Sequence, residues 1–482
     1  MRPTLSLSMI VKDAASHVGR CLASALPHVD ELVVVDTGSS DDTEREVCRA
    51  AARFPAVRLR LGRFLPDDHA SSFAIDSEEV MGPDLGPYTD RPMLSDFAAA
   101  RQASLDLATS DYVMWLDADD ELDGGEALPD LLEDMRASGS DMAELAYDYA
   151  RDAAGHSRCS LSRERISLRA ASSRWRSPVH EVLAPCSSPR FYASPTVVHR
   201  REAWGVAPAV AHRNLKILTL WARGRDLETA DPRMLYYLGR EEIPVRPDLA
   251  VEHLRLAASR SGWDEERACS RSLVAQLLED RGDIDAALSE HAIAAAECPG
   301  RPDGILGMAR VAHARGDHAS CVQWTEAGLA AADRRSREHP GGIPCDPLDY
   351  SFRPLAPYAS SLLAVRRPSD AEAACSAGLA LFPADAALLA LRQQALAAAK
   401  PPAATARDVL CSISRSSSLS APPADIPPHV ATVFAVELWK RHVAAGRHSS
   451  ALALLDALPP EAVDAGRLAE ARQATLRKLA GG

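Results

Sequence analysis

Two acidic runs, each following an apolar stretch, are the residues best suited to chemistry in this chain. Asp36-Thr37-Gly38-Ser39-Ser40-Asp41 follows Leu32-Val33-Val34-Val35, and Asp117-Ala118-Asp119-Asp120-Glu121 follows Tyr112-Val113-Met114-Trp115-Leu116. Asp117 and Asp119, at i and i+2, can present carboxylates to one hard divalent cation and leave its other positions for diphosphate oxygens. A lone D-x-D is common in turns; the strand before it and the second acidic turn give this one weight. In an open parallel sheet the ligand crevice lies at the carboxyl ends of the strands, so both runs should line one cleft.

The elements needed to position these residues are legible. Leu5 to Val11 reads as a strand, Val18, Cys21, Leu22 and Ala25 form one face of a helix, and Leu32 to Val35 is the next strand, which makes a βαβ unit. A helix from about Thr43 to Phe54, a strand around Val57 to Leu61, a helix from about Asp96 to Ala108 and the strand Tyr112 to Leu116 continue the alternation. Continuous apolar runs spaced by helices predict a mostly parallel sheet buried on both faces. The polar, Pro- and Gly-bearing stretch 66–95 reads as an insertion or lid loop, with a plain surface loop as the alternative.

From about residue 215 the strand patterns stop and the sequence becomes self-similar. Arg281-Gly282-Asp283 and Arg315-Gly316-Asp317 are 34 residues apart, the tetratricopeptide period, and each glycine precedes a small residue (Ala287, Cys321) by five. Ala287 to Pro299 and Ala371 to Pro383 share a second spacing, from a small packing residue to a closing proline. A small residue where helices cross, and Pro where the second helix ends, are what stacked helical hairpins need. The expected organisation is a domain over 1–220, helical repeats over 221–400, and a Pro/Ser-rich connection with C-terminal helices over 401–482.

At 482 residues and 46% hydrophobic content the chain can build two or three cored domains. The net charge of -13 argues against a dedicated nucleic-acid or anionic-membrane binder. Residues 1–150 hold 12 Lys/Arg against 30 Asp/Glu, whereas residues 151–220 hold 12 against 4. That basic stretch could neutralise a diphosphate, contact an anionic acceptor, or pair with the acidic half of its own domain. The ten cysteines are scattered singly without zinc spacing, which fits a reducing compartment. Charged residues interrupt every apolar run before it could cross a bilayer, so the expectation is a cytoplasmic protein without a transmembrane segment.

Four segments together resemble the successive motifs of family 2 glycosyltransferases with the GT-A fold: Leu7-Ser8-Met9-Ile10-Val11-Lys12-Asp13, Val33-Val34-Val35-Asp36-Thr37-Gly38-Ser39, Asp96-Phe97-Ala98-Ala99-Ala100-Arg101 and Trp115-Leu116-Asp117-Ala118-Asp119. Trp175-Arg176-Ser177-Pro178-Val179-His180-Glu181 and Val198-His199 resemble later motifs of the subgroup carrying tetratricopeptide repeats. The domain pairing is similar to that of sublancin-type peptide S-glycosyltransferases. The resemblance implies an α/β GT-A nucleotide-sugar-binding domain followed by all-α tetratricopeptide-like repeats. By it, Asp36 holds the uracil or ribose of a UDP-sugar with Asp13 and Asp41 nearby, Arg101 faces the nucleotide and its diphosphate, and Asp117 and Asp119 form the metal-and-ribose motif. His199 is then the third metal ligand, a donor that suits Mn2+ at least as well as Mg2+.

Where the family commonly reads Lys-Asn-Glu, this chain has Lys12-Asp13-Ala14, and Gln102 stands for the usual Asn. An inverting transfer needs a base to take the acceptor's proton; Glu181 is the candidate, His180 its neighbour the alternative, and a structural Glu181 paired with an arginine the competing reading. The acceptor expected from the domain pairing is a peptide or protein recruited by the repeats, whose stacked ends could also pair two chains. Two rivals stand beside this reading. A nucleotidyltransferase would carry a Gly-rich basic loop after the first strand, which Lys12-Asp13-Ala14-Ala15-Ser16-His17 is not; a repeat scaffold with a catalytically silent glycosyltransferase-like domain is the other.

Overall fold

The computed structural model describes residues 2–65, 94–151, 157–200, 208–338, 342–343, 348–399 and, beyond these, 439–440, 443, 446, 449, 451–452, 455 and 465–480. It divides into two compact units, Met1–Arg392 and Gln393–Gly482. The expected lid over 66–95 falls outside the described residues but for its last two, as does most of the Pro/Ser-rich connection.

The alternation of strand and helix is present. β1 (Leu5–Val11), α1 (Val18–Ala25), β2 (Glu31–Asp36), α2 (Thr43–Ala51), β3 (Arg58–Arg63), α3 (Phe97–Leu107) and β4 (Tyr112–Trp115) follow one another, then β5 (Asp120–Asp123), α4 (Leu128–Ser138), β6 (Met142–Arg151), β7 (Ser157–Leu168), β8 (Arg174–Arg176), β9 (Val182–Ala184) and β10 (Pro189–His199). Eight strands form one sheet in the order β3-β2-β1-β4-β7-β6-β10-β5, and β8 pairs with β9. β1, β2, β3 and β4 pair in parallel, with Leu7 beside both Leu32 and Met114. β7 runs antiparallel to β4 and β6, and β5 antiparallel to β10. The sheet is therefore parallel over the half formed by β3, β2, β1 and β4. Leu7, Leu22, Leu32, Met114 and Leu116 are fully buried in one core that joins α1, α2 and α4 to the sheet. Each such side chain contributes about 1.5–3 kcal/mol of burial.

The remaining described elements are helices: α5 (Pro208–Ala222), α6 (Pro232–Glu242), α7 (Pro247–Arg260), α8 (Asp264–Asp280), α9 (Ile284–Glu297), α10 (Asp303–Ala314), α11 (His318–Glu338), α12 (Leu348–Ser351), α13 (Leu355–Ala364), α14 (Pro368–Leu381), α15 (Ala386–Ala399) and α16 (Ala465–Ala480). Gly282 and Gly316 end α8 and α10 at φ 82 and 75, where a side chain would be strained. Ala287, Cys321, Ala371 and Cys375 are fully buried, as the crossing positions of helical hairpins must be. A second core joins Leu215, Ile217 and Leu218 of α5 to Met234, Leu235 and Leu238 of α6, and takes in Val179 and Phe97 from the sheet side. Within the first unit the helical part thus begins to pack against the sheet domain at α5 and α6. No helix among the described residues is long and apolar enough to cross a membrane.

Candidate active site

Arg101 organises the site. Asp96 caps α3 by accepting from the Ala99 amide at 2.9 Å, which sets the helix so that Arg101 is buried one turn later. Its Nε donates to Oε1 of Glu181 at 2.7 Å and its Nη2 to Oδ1 of Asp117 at 2.6 Å. Trp115 and Trp175 flank the guanidinium at 4.5 and 5.2 Å, themselves in an edge-to-face pair. Burial disfavours a charged Asp117, but Arg101 and Arg165 outweigh it and hold the carboxyl at about 2.

Glu181 reaches Arg101 because of the segment before it. Ser177 and His180 adopt φ 74 and 54, conformations that non-glycine residues hold only where surrounding structure enforces them. His180 turns away from Glu181's partners: its ring stacks on Tyr237 of α6 at 3.9 Å, and its Nε2 lies 3.5 Å from Glu241. Burial pushes the imidazole down, toward its neutral form. The structure brings Glu181 and Arg101 together and gives His180 to the helical side.

A second cluster lies at the end of β4 and β10. The register pairs His199 with Asp120, and Nδ1 of His199 is 3.0 Å from Oδ1 of Asp120 while Nε2 is 3.6 Å from Oδ2 of Asp119. Asp119, Asp120 and His199 offer ligand atoms all within 4.8 Å of one another, a set that fits a divalent cation. Asp117, expected in that set, is instead turned to Arg101. Asp120 is fully buried and already serves Arg165 at 3.0 Å, the Tyr147 hydroxyl at 3.1 Å and the Asp117 amide at 3.1 Å. Nδ1 against Asp120 leaves Nε2 as the ring atom facing Asp119, the arrangement in which a carboxylate orients a metal-binding imidazole. Burial lowers the affinity of His199 for a proton, but the hydrogen bond to Asp120 and the charge of Asp119 outweigh it and raise its pKa. Burial raises Asp119 against the opposing pull of His199.

The third group gathers between the ends of β1 and β2. Oδ1 of Asp36 accepts from the Gly38 and Ser39 amides at 2.6 and 2.7 Å, and Oδ1 of Asp13, itself at φ 48, accepts from Ser40 at 2.7 Å. Asp41 accepts from Ala15 at 3.0 Å and from the Thr43 amide at 3.0 Å; hydrogen bonding, the Thr43 hydroxyl foremost, holds its carboxyl below the usual range. Beside them Val11, Val34, Asp36 and Leu61 line a cavity of about 160 Å³. At Ala14 the amide is held by the Thr43 hydroxyl at 2.7 Å and the methyl is buried. Asp13, Asp36 and Asp41 therefore share one loop cluster, next to the crevice but separate from the Arg101 and His199 groups.

Sequence reading overlooked Asp120, Arg165 and Tyr147 as site residues. Arg165 is fully buried, its guanidinium 3.9 Å from the Trp115 ring and 4.2 Å from the Tyr147 ring, so it neutralises Asp120 in a place water does not reach. The run Ser162-Arg163-Glu164-Arg165 before Ile166 carries no alternation that marks Arg165 as inward, because the register of β7 against β6 shifts there.

The Glycosyl transferase family 2 model matches residues 88–193, a span that contains Arg101, the second acidic run and Glu181. A TPR repeat-containing protein of Synechococcus elongatus is 30% identical over 181 residues, 37% of this chain and 35% of its own length. The chain thus spans about a third of the length of that curated relative. Among solved structures, S. aureus TarS 1-349 in complex with UDP-GlcNAc superposes with a TM-score of 0.30 at 12% identity, over 69% of this chain and 92% of that one. The C-terminal part of a TPR repeat-containing protein from Cytophaga hutchinsonii gives 0.30 at 12%, over 56% and 92%. Superpositions at those scores carry no weight for function. The chain pairs a family 2 glycosyltransferase domain with tetratricopeptide-like helical repeats.

Proposed function

We propose that this protein is a metal-dependent, inverting glycosyltransferase that moves a sugar from a UDP-linked donor to an acceptor, a peptide or protein, recruited by the repeat helices. The observation that carries the reading is the bridge of Arg101 between Glu181 and Asp117, with Asp119 and His199 beside it. Asp119 and Nε2 of His199 would hold Mn2+ or Mg2+, oriented by Asp120 through Nδ1; the cation supplies charge neutralisation for the departing diphosphate. Asp36, with Asp13 and Asp41 bracing its loop, takes the uridine. Arg101 fixes Glu181, which removes the proton of the acceptor's hydroxyl or thiol as that atom bonds the anomeric carbon and the bond to UDP breaks. The edge-to-face pair of Trp115 and Trp175 flanks Arg101 and keeps it from swinging out of this bridge.

A scaffold with a silent domain makes the opposite prediction for nucleotides, so ligand-induced thermal stabilisation separates the two. UDP with Mn2+ should raise the melting temperature while UDP in chelator does not, and GDP and ADP should have weaker effects. A protein whose melting temperature no nucleotide changes, with or without metal, is not the enzyme described here.

A further inference from the structure

A cavity of about 730 Å³ lies between the β6–β7 face and the helices α6 and α8. It abuts the catalytic groups on two sides. Tyr149 lines it and stacks on His199 at 5.4 Å, and Arg163 lines it and donates from Nη2 to the carbonyl of Glu181 at 3.3 Å. His180 and Val182 face it, one on each side of Glu181 in the chain.

The far wall is a helical stripe at i, i+4 and i+7: Arg233, Tyr237 and Arg240 of α6. Both guanidiniums stand against the Tyr237 ring, at 5.1 and 5.7 Å. Among the described residues no carboxylate lies within 4.0 Å of either, and the buried Nε of Arg233 has no hydrogen-bond partner. The carboxylates on the wall are engaged elsewhere. Glu164 sits by Arg163 at 3.4 Å, Asp303 by Arg301 at 2.7 Å and Asp349 by Arg353, while Glu144 accepts from Ser162 at 2.8 Å. Arg233 and Arg240 are thus the lining cations without a carboxylate within 4.0 Å, Arg233 donating from Nη2 to the Tyr237 hydroxyl at 3.4 Å, while Glu144 on the opposite wall has a neutral hydroxyl as its partner. Two forked donors beside an aromatic ring match a phosphate or carboxylate better than a neutral group, because hydrogen bonds between ionised partners are the stronger ones.

Resting on the glycosyltransferase reading, we propose that this cavity is the acceptor site and that Arg233 and Arg240 make it selective for an acceptor carrying an anionic group, phosphate or carboxylate, near the attacking atom. A neutral acceptor without a hydrogen-bond acceptor in reach would leave the buried Nε of Arg233 without a partner, which is the basis of discrimination.

The test uses the full chain with Mn2+ and three versions of one short serine peptide, neutral, aspartate-bearing and phosphoserine-bearing, titrated by calorimetry with and without UDP. At least one anionic version should bind tenfold or more tightly than the neutral one, and the stronger of the two identifies the group. Arg233→Gln with Arg240→Gln should erase that preference and leave UDP affinity within twofold; Arg233→Lys with Arg240→Lys, which keeps the charge, should retain most of it and guards against a folding defect. Equal binding of the three peptides, no measurable binding of any, or a preference that survives in the Gln variant overturns the proposal. If UDP fails to bind the parent protein, the enzymatic reading falls separately, and the peptide preference measured without UDP still decides the anion site.

Discussion

Two buried arginines, one in each half of the first unit, make the same bridge for different ends. Arg101 spans Glu181 and Asp117, and Arg301 spans Glu265 at 2.5 Å and Asp303 at 2.7 Å. Each side chain is almost closed to solvent. Glu265 and Asp303 stand in the first turns of α8 and α10, Arg335 of α11 also reaches Glu265, and Arg301 donates to the Ile343 carbonyl at 3.1 Å. That cluster ties helix ends together. Arg101 instead joins two strand-end loops, one entered through residues at positive φ, beside the partly exposed Asp119. A buried ion pair is therefore not a site in itself. What marks the Arg101 bridge is enforced backbone, aromatic flanks and carboxylates converging on one open edge.

The comparison can be broken by substitution. Arg301→Met leaves Glu265 and Asp303 short of compensation inside the repeats and should cost about 3–5 kcal/mol in urea denaturation, the scale for losing one partner of a buried pair, with UDP affinity within twofold of the parent. Arg101→Met should destabilise as well but, by releasing Glu181, also lower turnover by about 100-fold; if Arg101→Met keeps parental turnover, the two bridges are equivalent and the distinction fails. Glu181→Gln should lower turnover by about 100-fold, or about 2.7 kcal/mol, with donor affinity kept. Near-parental turnover would return Glu181 to a structural role like that of Glu265.

The smallest effect concerns pH. Burial works against ionisation of Glu31, yet hydrogen bonds from Ser6, Thr109 and Arg60 outweigh it and hold the carboxyl at about 2, against about 4.5 when the side chain is free. A depressed folded pKa stabilises the fold above the unfolded value, and that contribution is lost as pH falls from about 4.5 toward 2. The urea midpoint should drop between pH 5 and 3, and Glu31→Gln should drop less over the same interval. Parallel loss in both proteins would assign the acid sensitivity to other groups.

Much of this was legible in the sequence because it depends on period and position. Apolar runs between helices announced the sheet, and Gly282 and Gly316 announced hairpin ends because only glycine is unstrained at those φ values. The partnership of Arg101 with Glu181, 80 residues on, was not legible, since it depends on how Ser177 to His180 turn. Asp120 was hidden for a related reason. In a run of acids the sequence cannot tell the partly exposed Asp119 from the buried neighbour that an arginine neutralises, because Arg165 reaches Asp120 only once β4 and β7 pair. Antiparallel register likewise put His199 opposite Asp120 and not Asp117.

The most direct measurement of the central claim is the calorimetric affinity of UDP for the parent protein and for Asp119→Asn, each in Mn2+ and in chelator. Asp119 is the carboxylate of the cluster that faces outward, with its backbone pinned by the Arg200 amide at 2.8 Å, so its removal should alter the cation site and little else. The parent should bind UDP in Mn2+ and not in chelator, and the variant should lose at least a hundredfold in affinity. Equal UDP affinity in Mn2+ and chelator, unchanged by Asp119→Asn, would contradict that claim.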